Sequence, residues 1–167
     1  GWAAVPQVYA AIMLGAVILF WVFSYSDPSH LVASNVSFTD QLKALCGELS
    51  GTSVDCLVSC NDQSFRENIL FTHRGLSGPA ILQISSFWES GDTVEINLLP
   101  DHDTAAWLQQ QVAERPNSEL KTLLGEIFTK KMANLLAENW FESKPMKQYT
   151  HAEVADIAQK LASWQLV

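Results

Sequence analysis

Between Val8 and Tyr25 lie eighteen consecutive residues without a charge, among them Ile12-Met-Leu-Gly-Ala-Val-Ile-Leu-Phe-Trp-Val-Phe23. Nothing else in the chain restricts its fold so strongly. Wound as a helix, the run would extend about 27 Å, close to the ~30 Å hydrocarbon layer of a bilayer. Trp2 and Tyr9 near one end, and Trp21 and Tyr25 near the other, match the aromatic belt of a membrane interface. The sequence thus predicts an apolar N-terminal helix within residues 1–30, able to anchor the chain in a membrane through residues 8–25. A secretory signal would need a basic leading region, and the first Lys or Arg is Lys43. Two further readings stay open: a buried core helix, or a segment foreign to the rest, joined by fusion or a shifted reading frame. The chain opens with Gly1 rather than Met, which adds the expectation of a fragment or processed product.

After the Asp27-Pro28-Ser29 break the pattern becomes that of a water-exposed α+β domain. Thr39 or Asp40 can cap a helix carrying Leu42, Leu45, Cys46 and Leu49 on one face and ending at Gly51. Val54, Cys56, Val58 and Cys60 alternate as in a half-buried strand. Asn61-Asp62 supplies a turn, and a second strand runs from about Phe65 to Thr72. Gly75-Leu-Ser-Gly-Pro79 breaks the chain and opens a helix through Phe87 and Trp88. Gly91-Asp92 then turns into a third strand carrying Val94, Ile96 and Leu98. From Asp103 onward everything reads as helix. Leu108 and Val112 share one face before Arg115-Pro116. Leu120, Leu123, Leu124, Ile127 and Phe128 follow at helical spacing, and Met132, Leu135 and Leu136 continue that helix or start another after Thr129. Thr150-His-Ala-Glu153 is a capping box ahead of the Val154, Ile157, Ala158 and Leu161 stripe. The expected organisation is an apolar segment over 1–30, a β-rich half over 36–101 and a helical-bundle half over 102–167.

Cys46, Cys56 and Cys60 form no disulfide-like framework. Along a strand, Cys56 and Cys60 would lie roughly 13 Å apart, too far to bridge without a bend. No CxxC or HxxxH spacing accompanies them, so they read as buried structural thiols suited to a reducing compartment. The net charge is −8 and the ten basic residues are spread thinly. No basic stripe supplies the counterion release that drives nucleic-acid binding, and no nucleic-acid partner is expected.

The densest chemical signal is Leu70-Phe-Thr-His-Arg-Gly-Leu-Ser-Gly-Pro-Ala-Ile-Leu82. A strand would deliver Thr72, His73 and Arg74 to its end, Gly75 would allow a tight turn, and Ser77 would cap the next helix. Pro79 would stand in that helix's first turn. Free backbone N–H groups beside His73 and Arg74 would suit a phosphate, a carboxylate or a polarised carbonyl. Local chemistry alone is equally met by a well-capped turn and nothing more. A serine hydrolase reading fits less well. Ser77 stands between strand and helix with His73, Asp101 and Asp103 as candidate partners, but Pro79 occupies a position where a nucleophile elbow wants glycine. In Asp101-His102-Asp103 the final Asp suits a helix N-cap better than a metal, and no metal site is expected. His30 and His151 read as surface or capping-turn residues, and Trp107, Trp140 and Trp164 as packing groups.

The run from Phe65 to Ser85, with Ile96-Asn-Leu-Leu-Pro-Asp101 after it, resembles the BaiN-like (YhiN-like) flavoproteins, bacterial FAD- and NAD(P)-dependent oxidoreductases. The Leu-Phe-Thr-His-x-Gly-Leu-Ser-Gly-Pro portion carries most of the resemblance, which extends more weakly from about Phe38 to Trp164. It implies a small antiparallel, barrel-like β unit plus a helical bundle, inserted into an FAD-binding domain that lies outside this chain. It further implies a cytoplasmic enzyme with a small-molecule substrate. Thr72, His73, Gly75, Ser77, Gly78 and Pro79 would then form the turn facing flavin and substrate, with Arg74 ranked lower. No Gly-x-Gly occurs in the sequence, so no complete dinucleotide site is expected here and the chain alone should be inactive. The competing expectation is a membrane-anchored, non-enzymatic interaction protein.

Overall fold

In the computed structural model, which describes residues 40–89 and 91–166, the period-two pattern around Val54 becomes strand β1, Ser53–Cys60. Val54, Cys56, Val58 and Cys60 are buried and the residues between them are not. Helix α1, Asp40–Glu48, precedes it and buries Leu45 and Cys46, with Leu49 just beyond its end. Asn61-Asp62 turns β1 tightly into β2, Gln63–Thr72. Asn61 sits in the left-handed region with φ 52°, which Asn tolerates better than most residues. Opposite Cys60 lies Gln63, and opposite Ser53 lies Leu70. Beyond that ladder, the N–H groups of Gly51 and Phe71 donate to the carbonyls of Phe71 and Thr52, each at 2.9 Å.

The remaining strands are short: β3, Gly75–Ser77; β4, Val94–Asn97; and β5, Trp164–Leu166. All neighbours are antiparallel, in the order β3-β2-β1-β4-β5, and the sheet curls into an open half-barrel. Five further α-helices are described: α2, Pro79–Ile84; α3, Thr104–Glu114; α4, Leu120–Ile127; α5, Lys130–Asn139; and α6, His151–Ala162. A 3-10 turn, Met146–Gln148, precedes α6. The chain is therefore α+β.

The helix boundaries follow side-chain chemistry. Asp103 caps α3 by accepting from the Ala106 N–H at 3.1 Å, Thr129 caps α5, and Thr150 with Glu153 forms the full capping box of α6. A new helix thus starts after Thr129. The leucines of α4 pack toward α5, α3 lies along α6, and α6 reaches the sheet. There the Leu98 N–H donates to the Leu161 carbonyl at 2.9 Å. Phe71, Ile69, Ile96, Leu108, Leu123 and Leu161 are almost fully buried. Truncating any of them to Ala would cost about 2–5 kcal/mol.

Two sequence expectations are corrected. The helix expected from Gly75 through Trp88 is only Pro79–Ile84, because Gly75–Ser77 continues the sheet as β3. Residues after Asp103 are not all helical, since Trp164–Leu166 returns to pair with β4. The apolar helix expected within 1–30 lies outside the described residues, and no helix among the described residues is long and apolar enough to cross a membrane.

Candidate functional site

β2 and β3 form a hairpin with His73 and Arg74 as its two-residue loop, both exposed. Thr72 faces Gly75 across the loop, and its Oγ1 holds the turn from within. It donates to the Gly75 carbonyl at 2.9 Å and accepts from the Arg74 N–H at 3.2 Å. Gly75 is buried with φ 140°, outside the range that side chains favour. The tip therefore presents an imidazole and a guanidinium on a short, internally braced loop.

Gly78 closes the motif from below. Its φ is 99°, and a Cβ there would lie 2.7 Å from the Asn68 carbonyl oxygen and 2.8 Å from the Leu70 nitrogen. The chain crosses the β2 backbone at a distance that excludes any side chain. Ser77 does not cap α2, contrary to expectation: Gly78 holds the N-cap position and no side-chain cap bond forms. Ser77 pairs with Leu70 in the ladder, which places its hydroxyl one residue too early. The helix that follows the turn is short, six residues opening at Pro79, which contributes no N–H. The hydrolase reading loses its acids as well. Asp103 caps α3, and Asp101 is held by Arg66. No group of three His, Cys, Asp or Glu side chains among the described residues could hold a metal.

Arg66 centres a cluster that the sequence reading missed. Its guanidinium donates to both Asp101 carboxylate oxygens at 2.7 Å and to Asp55 Oδ2 at 2.8 Å. Hydrogen bonding to Arg66 holds the Asp101 carboxyl below its ordinary range. The only sequence signal was a lone Arg in an expected strand, because Asp101 is thirty-five positions away. Beside it a cleft of about 280 Å³ is lined by Asp55, Leu99, Asp101, His102, Ile127 and Phe128 among others. A second cleft, about 400 Å³, lies between Trp140, Phe141, Tyr149, Glu153 and Asp156. Both are acid-lined and neither contains a glycine-rich turn. They do not fit a dinucleotide such as FAD, whose pyrophosphate needs close backbone N–H groups.

The three cysteines are buried and free, as expected. Burial pushes the Cys46 thiol up to about 11 and the Cys56 thiol up to about 12, so neither forms a thiolate readily. Trp164 stacks on Phe71 at 6.4 Å and meets Trp140 edge-on at 5.0 Å. Trp107 lies 6.0 Å from the ring of His102.

The half-barrel, the helical layer and the braced Thr-His-x-Gly turn define a barrel-and-helix domain. Residues 32–167 match the family described as "HI0933-like protein barrel and H2TH domain", and the chain belongs to that family. This agrees with the resemblance to BaiN-like (YhiN-like) proteins. The chain is 39% identical over 120 residues to a protein named ribosomal RNA dihydrouridine synthase from Escherichia coli (strain K12). It is 32% identical over 140 residues to one of the same name from Haemophilus influenzae. The matched stretches cover 71% and 83% of this chain but 30% of each relative. The exclusion of nucleic acid drawn from the sequence falls with these relatives, whose names specify ribosomal RNA. The reasoning failed because a net charge averages over one segment. RNA contact depends on where cations are displayed across a whole protein. The membrane partner expected through residues 8–25 gains no support from the comparisons, and those residues lie outside the described structure.

Proposed function

We propose that this chain is the substrate-side domain of a flavin-dependent reductase acting on ribosomal RNA, with the β2–β3 turn directed at the reaction cleft. The observation that carries the reading is the braced Thr72–Pro79 motif in a chain 39% identical to a named ribosomal RNA dihydrouridine synthase. Converting uridine to dihydrouridine adds a hydride and a proton across one carbon–carbon double bond. No protein side chain donates a hydride, so a cofactor must supply it. FAD, with NAD(P) as electron source, belongs in this reading to the part of the whole protein beyond this chain, the part that completes the relatives' length. Alone, the domain would be inactive.

In this reading the domain's own residues position the substrate. Arg74 offers a charge to an RNA phosphate, and His73 offers a hydrogen bond to a base carbonyl or phosphate oxygen. Thr72, Gly75 and Gly78 fix the loop that carries them. Ser77 and Pro79 set the path from that loop into α2. The membrane-anchored interaction protein has no observation in its favour among the described residues.

The test is a graft. Residues 36–167 replace the matching segment of the Escherichia coli relative in a strain lacking that gene, and dihydrouridine in ribosomal RNA is measured by mass spectrometry. The unaltered graft should restore the modification. Grafts carrying His73→Ala or Arg74→Ala should lose about tenfold or more, with bound flavin unchanged. Full modification by both substituted grafts would refute the assignment of the turn.

A further inference from the structure

The turn contains a single residue of a kind that passes protons near neutral pH. General acids are drawn chiefly from His, Asp, Glu, Lys, Tyr and Cys, and in Thr72-His-Arg-Gly-Leu-Ser-Gly-Pro79 only His73 belongs to that set. Arg74 keeps its proton at any working pH. The Thr72 hydroxyl is committed, donating to the Gly75 carbonyl and accepting from the Arg74 N–H. Cys46, Cys56 and Cys60 are buried, and burial raises all three thiols. The Tyr149 hydroxyl is bonded to the Glu142 carbonyl. His102 lines the cleft beside Asp101, the partner of Arg66, and from Arg66 to Thr72 the strand runs about 20 Å. His73 is exposed at the tip, on a loop that Thr72 holds from within.

We propose that His73 is the proton donor of the reaction, a general acid acting at C5 of the uracil ring. The inference rests on the reading of this domain as part of a ribosomal RNA dihydrouridine synthase, and gives its turn a chemical task beyond holding the substrate. Reduction of uridine is a conjugate addition. When a hydride from a reduced flavin beyond this chain reaches C6, a C–H bond forms there. The π pair of C5=C6 shifts to C5 and the C4 carbonyl oxygen. A ring N–H of the His73 imidazolium then gives its proton to C5, completing the second C–H bond. The neutral imidazole recovers a proton from water, so uridine gains one hydride and one proton. The brace from Thr72 suits this task, because a general acid must be held within about 3 Å of the atom it serves.

The test uses the purified, flavin-loaded graft, reduced by NAD(P)H and mixed without oxygen with unmodified ribosomal RNA. Flavin reoxidation is followed by absorbance and dihydrouridine by mass spectrometry. His73→Asn keeps an N–H donor for a substrate oxygen but passes no proton near neutrality. It should bind flavin and accept electrons from NAD(P)H as the unaltered graft does, while reoxidation by RNA slows about 100- to 10,000-fold. In the unaltered graft that rate should fall as pH rises through the imidazole range, because the acid must carry its proton. The falling limb should be missing from His73→Asn. Arg74 beside the imidazole, and Lys43 and Glu48 on α1, which packs on β2 and β3, are the charged neighbours that bear on its position; α2 carries none. Reoxidation within about threefold of the unaltered rate, a loss confined to the RNA concentration required, a falling limb that persists, or loss of bound flavin would each overturn the role of His73 alone. An unaltered graft that makes no dihydrouridine overturns the underlying reading, and this inference with it.

Discussion

Replacing Gly78 with Ala should be among the most damaging single-methyl additions in the domain, and the structure separates its two causes. The backbone at Gly78 has φ 99° and ψ 170°, a region that is essentially glycine-only, and holding alanine there costs about 1–3 kcal/mol. The added Cβ would also approach the Asn68 carbonyl oxygen to 2.7 Å, the Leu70 nitrogen to 2.8 Å and the Ile69 carbonyl carbon to 3.1 Å. All three are backbone atoms of a paired strand and cannot swing aside, so relief requires moving β2, at a further ~1–3 kcal/mol. Together these give a loss of about 2–6 kcal/mol, a large part of a typical domain's ~5–15 kcal/mol. Two other glycines serve as references. Gly91 has φ 101° with nothing within 4 Å, so Gly91→Ala carries the strain without the collision. Gly47 lies in α1 with open space around it, so Gly47→Ala should gain up to about 1 kcal/mol from helix propensity. Urea unfolding followed by far-ultraviolet circular dichroism would rank the three. If Gly78→Ala falls no further than Gly91→Ala, the close crossing over β2 is not the constraint inferred from the distances.

Two further perturbations test other parts of the structure. Glu153 is held down to about 2 from an ordinary 4.5, chiefly by the 2.6 Å bond from Lys144 Nζ and then by the Thr150 N–H and hydroxyl. A depressed carboxyl stabilises the fold above its unfolded pKa and ceases to do so as pH falls through its folded one. The unfolding midpoint should therefore drop between about pH 4.5 and about 2, and Lys144→Met should flatten that drop; an unchanged acid profile would discount the pairing. Trp164→Ala removes the contacts with Phe71 and Trp140 and should cost about 2–3 kcal/mol, because the indole is only half-buried. A loss below about 0.5 kcal/mol would mean that β5 contributes nothing to the core.

The readable features were those whose partners lie close in sequence. Val54, Cys56, Val58 and Cys60 show their strand by alternation, Asn61-Asp62 shows its turn, and Asp103 and Thr150 announce the helices they cap. β3 was hidden because three residues beginning at a glycine look like a turn, and only pairing with Leu70–Thr72 makes them a strand. β5 was hidden for the same reason at longer range, its partner Val94–Ile96 lying far back in the chain. At the candidate site, the tight turn at Gly75 was legible from residue types, while its bracing by the Thr72 hydroxyl was not. The mechanism assigned to Ser77 was wrong, because one residue of strand decides whether a hydroxyl reaches a helix terminus. The Arg66 cluster needed the β1–β2 register and the β4–α3 loop together, and neither is written in local sequence.

The placement of β5 has a consequence for how the domain is assembled. It lies against β4, so the four helices α3 to α6 form a loop tied off by a three-residue ladder. Closing a flexible loop of roughly 70 residues costs about 4 kcal/mol, more than three strand residues recover alone. The ladder can therefore close only once α3 and α6 have packed and the Leu98–Leu161 bond has brought its ends together. β5 is the clasp on a finished structure, and the sheet and the helices should melt in one transition rather than two.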